Sequence, residues 1–415
     1  MSSLKNNPLL KAISSLRLTL FLLGCSMVLI FIATLEQVHL GIRGAQKEYF
    51  ESAFGMWQYP EQWYGGEYLT WLILPIPGGY LVGPLLFLNL VAAHAQRFRL
   101  TWKKAGIQCI HLGIILLLLG QLLAQLIQVE SKMVIDKGEK ANFISRFHEV
   151  ELAFVNVSDP DKDTVIAISE DRLEEGGTIR TKDLPFTARI QGYGRNCDFK
   201  FKRNPGEQVK GVAAEVDRGA GAELRIELEE EEEDMNPDAA NFAWAVVELK
   251  DGKDRIGTWL TIAHPNGRND FWERGNDFMA PMVSQQFRHE DQLWVLEIRQ
   301  KREYLPYSIE LAELANEYYQ GTDLPRNFES DVRIHEEDSA SASGRRALVY
   351  MNHPLRHAGK TFYQYQMGQV DNYTVFQVIE NPSWLTPYAA CVLVSLGLLL
   401  QFGYHLIRFM RKVRS

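Results

Sequence analysis

Residues 105–120 read AGIQCIHLGIILLLLG. The stretch is apolar enough to cross a bilayer, yet it carries His111. An ionisable ring in lipid is costly and calls for a partner or a ligand. The apolar run continues to about Ile127, which meets the roughly 20 residues a spanning helix needs. Three more stretches come close to that length: about 16–35, about 77–95 with a hydrophobic lead-in at Leu69–Ile76, and about 387–407. The first follows Lys5, Lys11 and Arg17, as a signal peptide would. No small-residue cleavage site follows it and more spans come soon after, so it reads as an uncleaved anchor.

The basic residues set an expected orientation. Lys5, Lys11 and Arg17 precede the first span, and Arg97, Arg99, Lys103 and Lys104 fill the loop between the second and third. Arg408, Arg411, Lys412 and Arg414 follow the fourth. All three groups share one side if both termini are cytoplasmic and the chain crosses four times. Residues of about 36–76 and about 130–385 then lie outside.

The first outer loop and its edges hold Trp57, Tyr59, Trp63, Tyr64, Tyr68, Trp71 and Tyr80. Such rings ordinarily settle at the headgroups, and a platform for a flat ligand is the other reading. Residues 130–385 differ in kind. VELAFVNV, AELRIELE, FAWAVVELKDG and LWVLEIRQ alternate apolar and polar residues in short runs broken by Gly, Pro, Asn and Asp, which is strand patterning. Asp251-Gly252 reads as a hairpin turn between Ala243–Lys250 and Arg255–Ile262. SIELAELANEYY at 308–319 suits a helix or a strand, and Glu227–Asp234 a solvated loop or strand end. The expected fold is a four-span α-helical membrane protein with a large, β-rich extracytoplasmic domain, a sandwich or open barrel. Its parts are 1–129 with three spans, 130–385, and 386–415 with the last span and a cytoplasmic tail.

Composition narrows the function classes. A net charge of −8 argues against nucleic-acid binding. The four cysteines, Cys25, Cys109, Cys197 and Cys391, form no CxxC, which argues against a dithiol or zinc-ribbon centre. No CxxCH is present, so the chain is not itself a c-type cytochrome. P-loop, GxGxxG and GxSxG motifs are also missing.

Histidines remain. His353 and His357 have a zinc-compatible spacing, but Pro354 between them argues against a shared helix and for a surface turn. His94 and His405 lie near the cytoplasmic ends of the second and fourth spans, within reach of the headgroups. His111 lies six residues into the third span, about 9 Å deep at the helical rise. That is too deep to reach the headgroups easily. A neutral imidazole there can bond to a neighbouring helix, take part in a proton relay, or ligate haem iron. The span interiors hold no carboxylate, which weighs against a relay. Gly106 and Gly113 flank His111 and would let a helix or a flat ring approach closely.

Three features together resemble the ResB (CcsB) family of cytochrome c biogenesis proteins, over nearly the whole chain. One is KKAGIQCIHLGIILLLLG followed by SKMVIDKGEKANF. Another is MNHPLRHAGKTFYQYQMG at 351–368, similar to the family signature at Asn352, Pro354, Leu355, Gly359, Tyr363 and Gln364. The third is the order of three spans, outer domain and final span. The resemblance implies a subunit of the system II haem lyase (synthetase) of the bacterial cytoplasmic membrane, incomplete without a CcsA (ResC)-like partner. That complex moves haem b outward and joins it to CxxCH thiols of apocytochrome c. The resemblance makes His111 an axial haem ligand shared with the partner. Arg97, Arg99, Lys103 and Lys104 are then candidates for the propionates. No Trp-Trp-Asp is present, in keeping with a partner that carries the outer haem-handling motif. Cys197, the lone outer thiol, is unsuited to CxxC-type reduction. Two other readings stay open: a b-type electron-transfer subunit, which needs a second ligand such as His94 or His405 from this chain, and a haem-free scaffold for a partner.

Overall fold

A computed structural model describes residues 8–59, 68, 71–97, 101–202, 204, 206–234, 241–263, 280–321, 325–336, 344–367 and 373–414. They fall into two compact units, one within Met1–Gln128 and Asn381–Ser415 and the other within Val129–Asp234 and Ala240–Glu380.

The first unit is helical. A short helix α1 (Pro8–Ile13) leads into α2 (Leu16–Ala45), then α3 (Gly79–Arg97), α4 (Ala105–Ile127) and α5 (Thr386–Arg414). Helices α2 to α5 are each long and apolar enough to cross a membrane. Helix α2 outruns the apolar segment seen in the sequence and breaks at Gly41, whose φ of 68° favours glycine.

Polar residues tie α3 to the start of the chain. Asn89 is buried, and its Nδ2 donates to the carbonyls of Ile13 at 2.5 Å and Ser15 at 3.2 Å. Thr19 Oγ1 donates to Asn89 Oδ1 at 2.7 Å, and Ser14 Oγ to Gln96 Oε1 at 2.6 Å. The carbonyls freed where α1 ends are thus satisfied inside the bundle, where lipid would leave them unpaired.

The segment between α2 and α3 contains two antiparallel strands, β1 (Phe54–Gln58) and β2 (Ile73–Pro77). The hydrophobic lead-in at 73–76 is therefore strand rather than helix. Trp57 packs with Tyr49, Ile76, Leu29 and Ala33 in a small core, whereas Tyr68, Trp71 and Tyr80 are exposed. Trp63 and Tyr64 lie outside the described residues.

The second unit is antiparallel β. Its strands are β3 (Val129–Asp136), β4 (Lys140–Asn156), β5 (Thr164–Ser169), β6 (Gly177–Ile179), β7 (Thr187–Gly194), β8 (Cys197–Phe201), β9 (Ile226–Glu230), β10 (Trp244–Asp251) and β11 (Asp254–Ile262). They continue with β12 (Ser284–His289), β13 (Gln292–Tyr318), β14 (Pro325–Glu336), β15 (Arg345–Tyr350), β16 (Leu355–His357), β17 (Lys360–Met367) and β18 (Tyr373–Glu380). A ten-stranded sheet runs β15-β14-β13-β4-β3-β18-β17-β16, with β12 on β13 and β5 on β4. A four-stranded sheet runs β11-β10-β7-β6, and β8 pairs with β9. The expected Asp251-Gly252 hairpin joins β10 to β11. SIELAELANEYY lies in β13 apart from its last residue, with Ile309 and Leu311 buried on one face, two residues apart. The acidic run begins in β9, where Glu227 meets Lys202 and Glu229 meets Lys200.

Two long strands carry this unit. The first halves of β13 and last part of β4 bury Trp294, Leu296, Ile298, Leu152 and Phe154 against Ala245, Val247 and Leu249 of the smaller sheet. This is sheet-on-sheet packing. The other ends bury Ile309, Leu311, Ala141 and Ile144 in a second core with Val332, Phe362, Phe376 and Val378. Ser330 Oγ of β14 donates to Gln364 Oε1 of β17 at 2.7 Å, so the large sheet curls towards itself as an open barrel would. The β13–β4 register shifts between Tyr304 and Ile309, a gap that contains Pro306. Proline has no N–H for the ladder, and the interruption lets one strand serve both cores.

Beside the first core, Arg299 is 3% exposed. Its Nε donates to Glu151 Oε1 at 2.9 Å and its Nη1 to Glu297 Oε1 at 2.5 Å. Removing the guanidinium strands two buried carboxylates.

Two outcomes follow for stability. A Cβ at Gly106 would lie 2.7 Å from both Gln401 N and Gly397 O on α5. Gly106→Val should therefore lower the thermal midpoint of the purified protein in detergent, by the equivalent of about 1–3 kcal/mol for an overpacked contact. Arg299→Met should cost about 3–5 kcal/mol, and chemical denaturation followed by tryptophan fluorescence measures it. A wild-type midpoint in either variant would contradict the packing described.

Candidate functional site: paired membrane histidines

Helix α4 has two different faces. Gly106, Gly113 and Gly120 recur every seven residues and are all buried. Without side chains they let α5 approach closely. The Cβ each lacks would strike Gly397 and Gln401, then Val394 and Ala390, then Thr386. The close approach invited by Gly106 and Gly113 is therefore taken by a helix of the same chain. His111 precedes Gly113 by two residues, which is about 200° round the helix. Its ring points away from that seam.

On that other side it meets α3. The rings of His94 and His111 lie 5.9 Å apart between centroids, with planes inclined by 51°. Both residues are half-buried. From the sequence His94 reads as a residue reaching for the headgroups. In the structure its ring turns to the neighbouring helix. The signal was available: His94 is three residues before the end of α3, and His111 is six residues into α4. Two consecutive antiparallel helices bring such positions to similar depth.

The basic candidates divide. Lys103 and Lys104 are exposed just before α4, with Lys104 at the N-cap position and making no side-chain cap. Lys104 is about 10 Å along the axis from His111. The side chain of Arg97 and the whole of Arg99 lie outside the described residues. His405 is exposed on α5, with Nε2 2.8 Å from Gln401 Nε2 and an edge contact to Tyr404.

His353 and His357 of the β unit do not share a site. His353 is exposed and stacks on Tyr350, with centroids 4.6 Å apart. His357 packs edge-on to Tyr307 at 4.5 Å. Burial and then Arg345 lower its pKa, against the pull of Glu336. Cys197 is buried, and burial pushes its thiol up to about 12. It is a core thiol of low reactivity.

The late motif has structural work to do. Asn352 has φ 62° in the turn between Tyr350 and His353. Ala358 and Gly359 have φ 47° and 79° in the β16–β17 hairpin, a two-residue turn of the primed kind. Leu355 is buried in the second core. Gln364 Nε2 donates to Thr374 Oγ1 at 2.9 Å while its Oε1 accepts from Ser330. The motif therefore holds two turns, one core anchor and one polar link between strands.

These features define a class: a membrane protein with four candidate spanning helices, paired histidines between two of them, and a large antiparallel β unit. Residues 278–371 match the ResB-like family. The match takes in β12 to β17 and the whole of the 351–368 motif, a part of the β unit. It supports assigning the chain to that family and points to a role in cytochrome c biogenesis. A comparison with curated proteins gives no match.

The β unit also holds Lys132, 9% exposed on β3, with its ammonium 5.8 Å from the centre of the Phe147 ring. Burial lowers its pKa from 10.5 to about 8. Between those values the unfolded chain keeps a proton that the folded chain has released. Stability then rises with pH across that window, and below it the cost of burying the charge is borne in full. Lys132→Met should raise the thermal midpoint most near pH 7 and least near pH 10. Equal gains at both would show that Lys132 does not titrate in this way.

Proposed function

We propose that this chain is the ResB-like half of a haem-exporting cytochrome c synthetase. In this reading both termini are cytoplasmic and the β unit lies outside the bacterial cytoplasmic membrane. A CcsA (ResC)-like partner supplies the outer haem-handling residues. Haem b is cargo: it enters from the cytoplasmic side and leaves to form thioethers with the reduced CxxCH thiols of apocytochrome c. His111 is the axial ligand that this chain contributes. Lys103 and Lys104, with Arg97 and Arg99, meet the propionates at the cytoplasmic surface.

The position of His111 carries the proposal. Its ring lies on the face of α4 that the glycine seam leaves to other contacts. Neutral imidazole is a usual haem ligand, and a histidine at this depth needs a partner or ligand. The family match to part of the β unit supports the same assignment.

One observation favours a second reading. His94 beside His111 offers two imidazoles from one chain, as a b-type electron-transfer subunit requires. The visible spectrum separates the two. The synthetase reading expects haem in the complex with the partner, lost with His111→Ala along with cytochrome c maturation. In that reading His94→Ala keeps most of the haem. Haem held by this chain alone, cycling reversibly and lost with either substitution, would identify the electron-transfer subunit. Unchanged haem and maturation in His111→Ala would remove both.

A further inference from the structure

A second histidine site lies far along the chain from the membrane helices. The β10–β11 and β12–β13 hairpins both turn through residues with positive φ: Gly252 at 57° in the first, and Glu290 and Asp291 at 48° and 62° in the second. Asp251 pairs with Asp254 across one turn and His289 with Gln292 across the other. The two tips bring Asp251, His289 and Glu290 together. One ligand atom from each lies within 4.8 Å of the others.

His289 distinguishes this group from an ordinary acidic surface. Its side chain is only 10% exposed, and its Nε2 is 3.8 Å from Asp251 Oδ2. That nitrogen is buried and makes no hydrogen bond. The Phe186 ring packs edge-on to the imidazole at 5.5 Å, which restrains it. A buried ring nitrogen left without a hydrogen bond is costly, and such a group calls for an explanation. Here it faces two carboxylates whose side chains are exposed and free to close.

We propose that Asp251, His289 and Glu290 bind a divalent transition-metal ion, with zinc as the best fit. One imidazole nitrogen and two carboxylate oxygens form a mixed set that zinc accepts at about 2.0–2.2 Å, with water completing a tetrahedron. Calcium and magnesium prefer all-oxygen sites, so the imidazole selects against them. Ligand atoms about such an ion stand closer together than 4.8 Å, and rotation of the exposed Asp251 and Glu290 side chains supplies the closure. The ion joins the tip of a hairpin in the four-stranded sheet to one in the ten-stranded sheet. Phe186 belongs to the core between those sheets, so the ion acts as a staple at its rim.

The test uses the full chain, purified in detergent without a histidine tag and stripped with chelator. Isothermal titration with zinc chloride should show one more bound equivalent in the wild type than in His289→Ala. Asp251→Asn and Glu290→Gln alter exposed turn residues and should weaken that equivalent by about tenfold or more. His353→Ala should retain it. At equal concentration zinc should raise the thermal midpoint of the wild type more than that of Asp251→Asn, as tighter binding to the folded state requires. Cobalt should give visible bands that need a higher cobalt concentration to appear in Asp251→Asn. Equal stoichiometry and affinity in the wild type, Asp251→Asn and Glu290→Gln would overturn the proposal, as would no sub-millimolar zinc binding by the wild type.

Discussion

The approach of α5 to α4 along Gly106, Gly113 and Gly120 is the contact that orders the helical unit. Lipid offers no hydrophobic drive to pair two apolar helices, so close packing must supply it. Glycines seven residues apart keep one stripe of α4 free of side chains over four turns. Helix α5 fills it with Gly397, Val394, Ala390 and Thr386. Once that stripe is taken, the helical repeat puts His111 on the opposite side, against α3. The histidine pair is thus a geometric consequence of the glycine seam. Asn89 and Gln96 fix α3 from its other side by bonding the turn between α1 and α2.

A different constraint orders the β unit. Strands β4 and β13 are long enough to enter two hydrophobic cores, and they join them. A single regular ladder of that length would twist too far to serve both. Register shifts at Gln300–Arg302 and at Tyr304–Ile309 break it into segments. Arg299 and its two carboxylates lie next to the first shift. A buried guanidinium held by two carboxylates defines register more sharply than apolar residues do, because a slip leaves charge unpaired. The family-matching segment has the same character. Asn352, Leu355, Gly359 and Gln364 hold turns, core and strand pairing there, so the similarity speaks chiefly to fold, while the membrane histidine lies outside the matched residues.

Much of this was legible in the sequence because the relevant forces are local. Spanning helices follow from long apolar runs, since backbone groups in lipid must bond within their own segment. Strands follow from alternation, and the β10–β11 hairpin from Asp251-Gly252. SIELAELANEYY stayed ambiguous because its apolar residues fit periods of both two and nearly four. Pairing with β4 and β14 resolved it, and pairing is not local. Likewise Ile73–Ile76 carries enough hydrophobicity for a helix, but an antiparallel neighbour at 54–58 makes it a strand.

The number of candidate spans, the β character of residues 130–385 and the unusual position of His111 can all be read along the chain. Each depends on composition or period within a short window. What those residues meet depends on the folded packing. It gave the glycines of α4 to α5, turned His94 towards His111, and set Asp251 beside His289 across two hairpins. Such meetings depend on packing between segments distant in the chain, where spacing along the sequence carries no distance information.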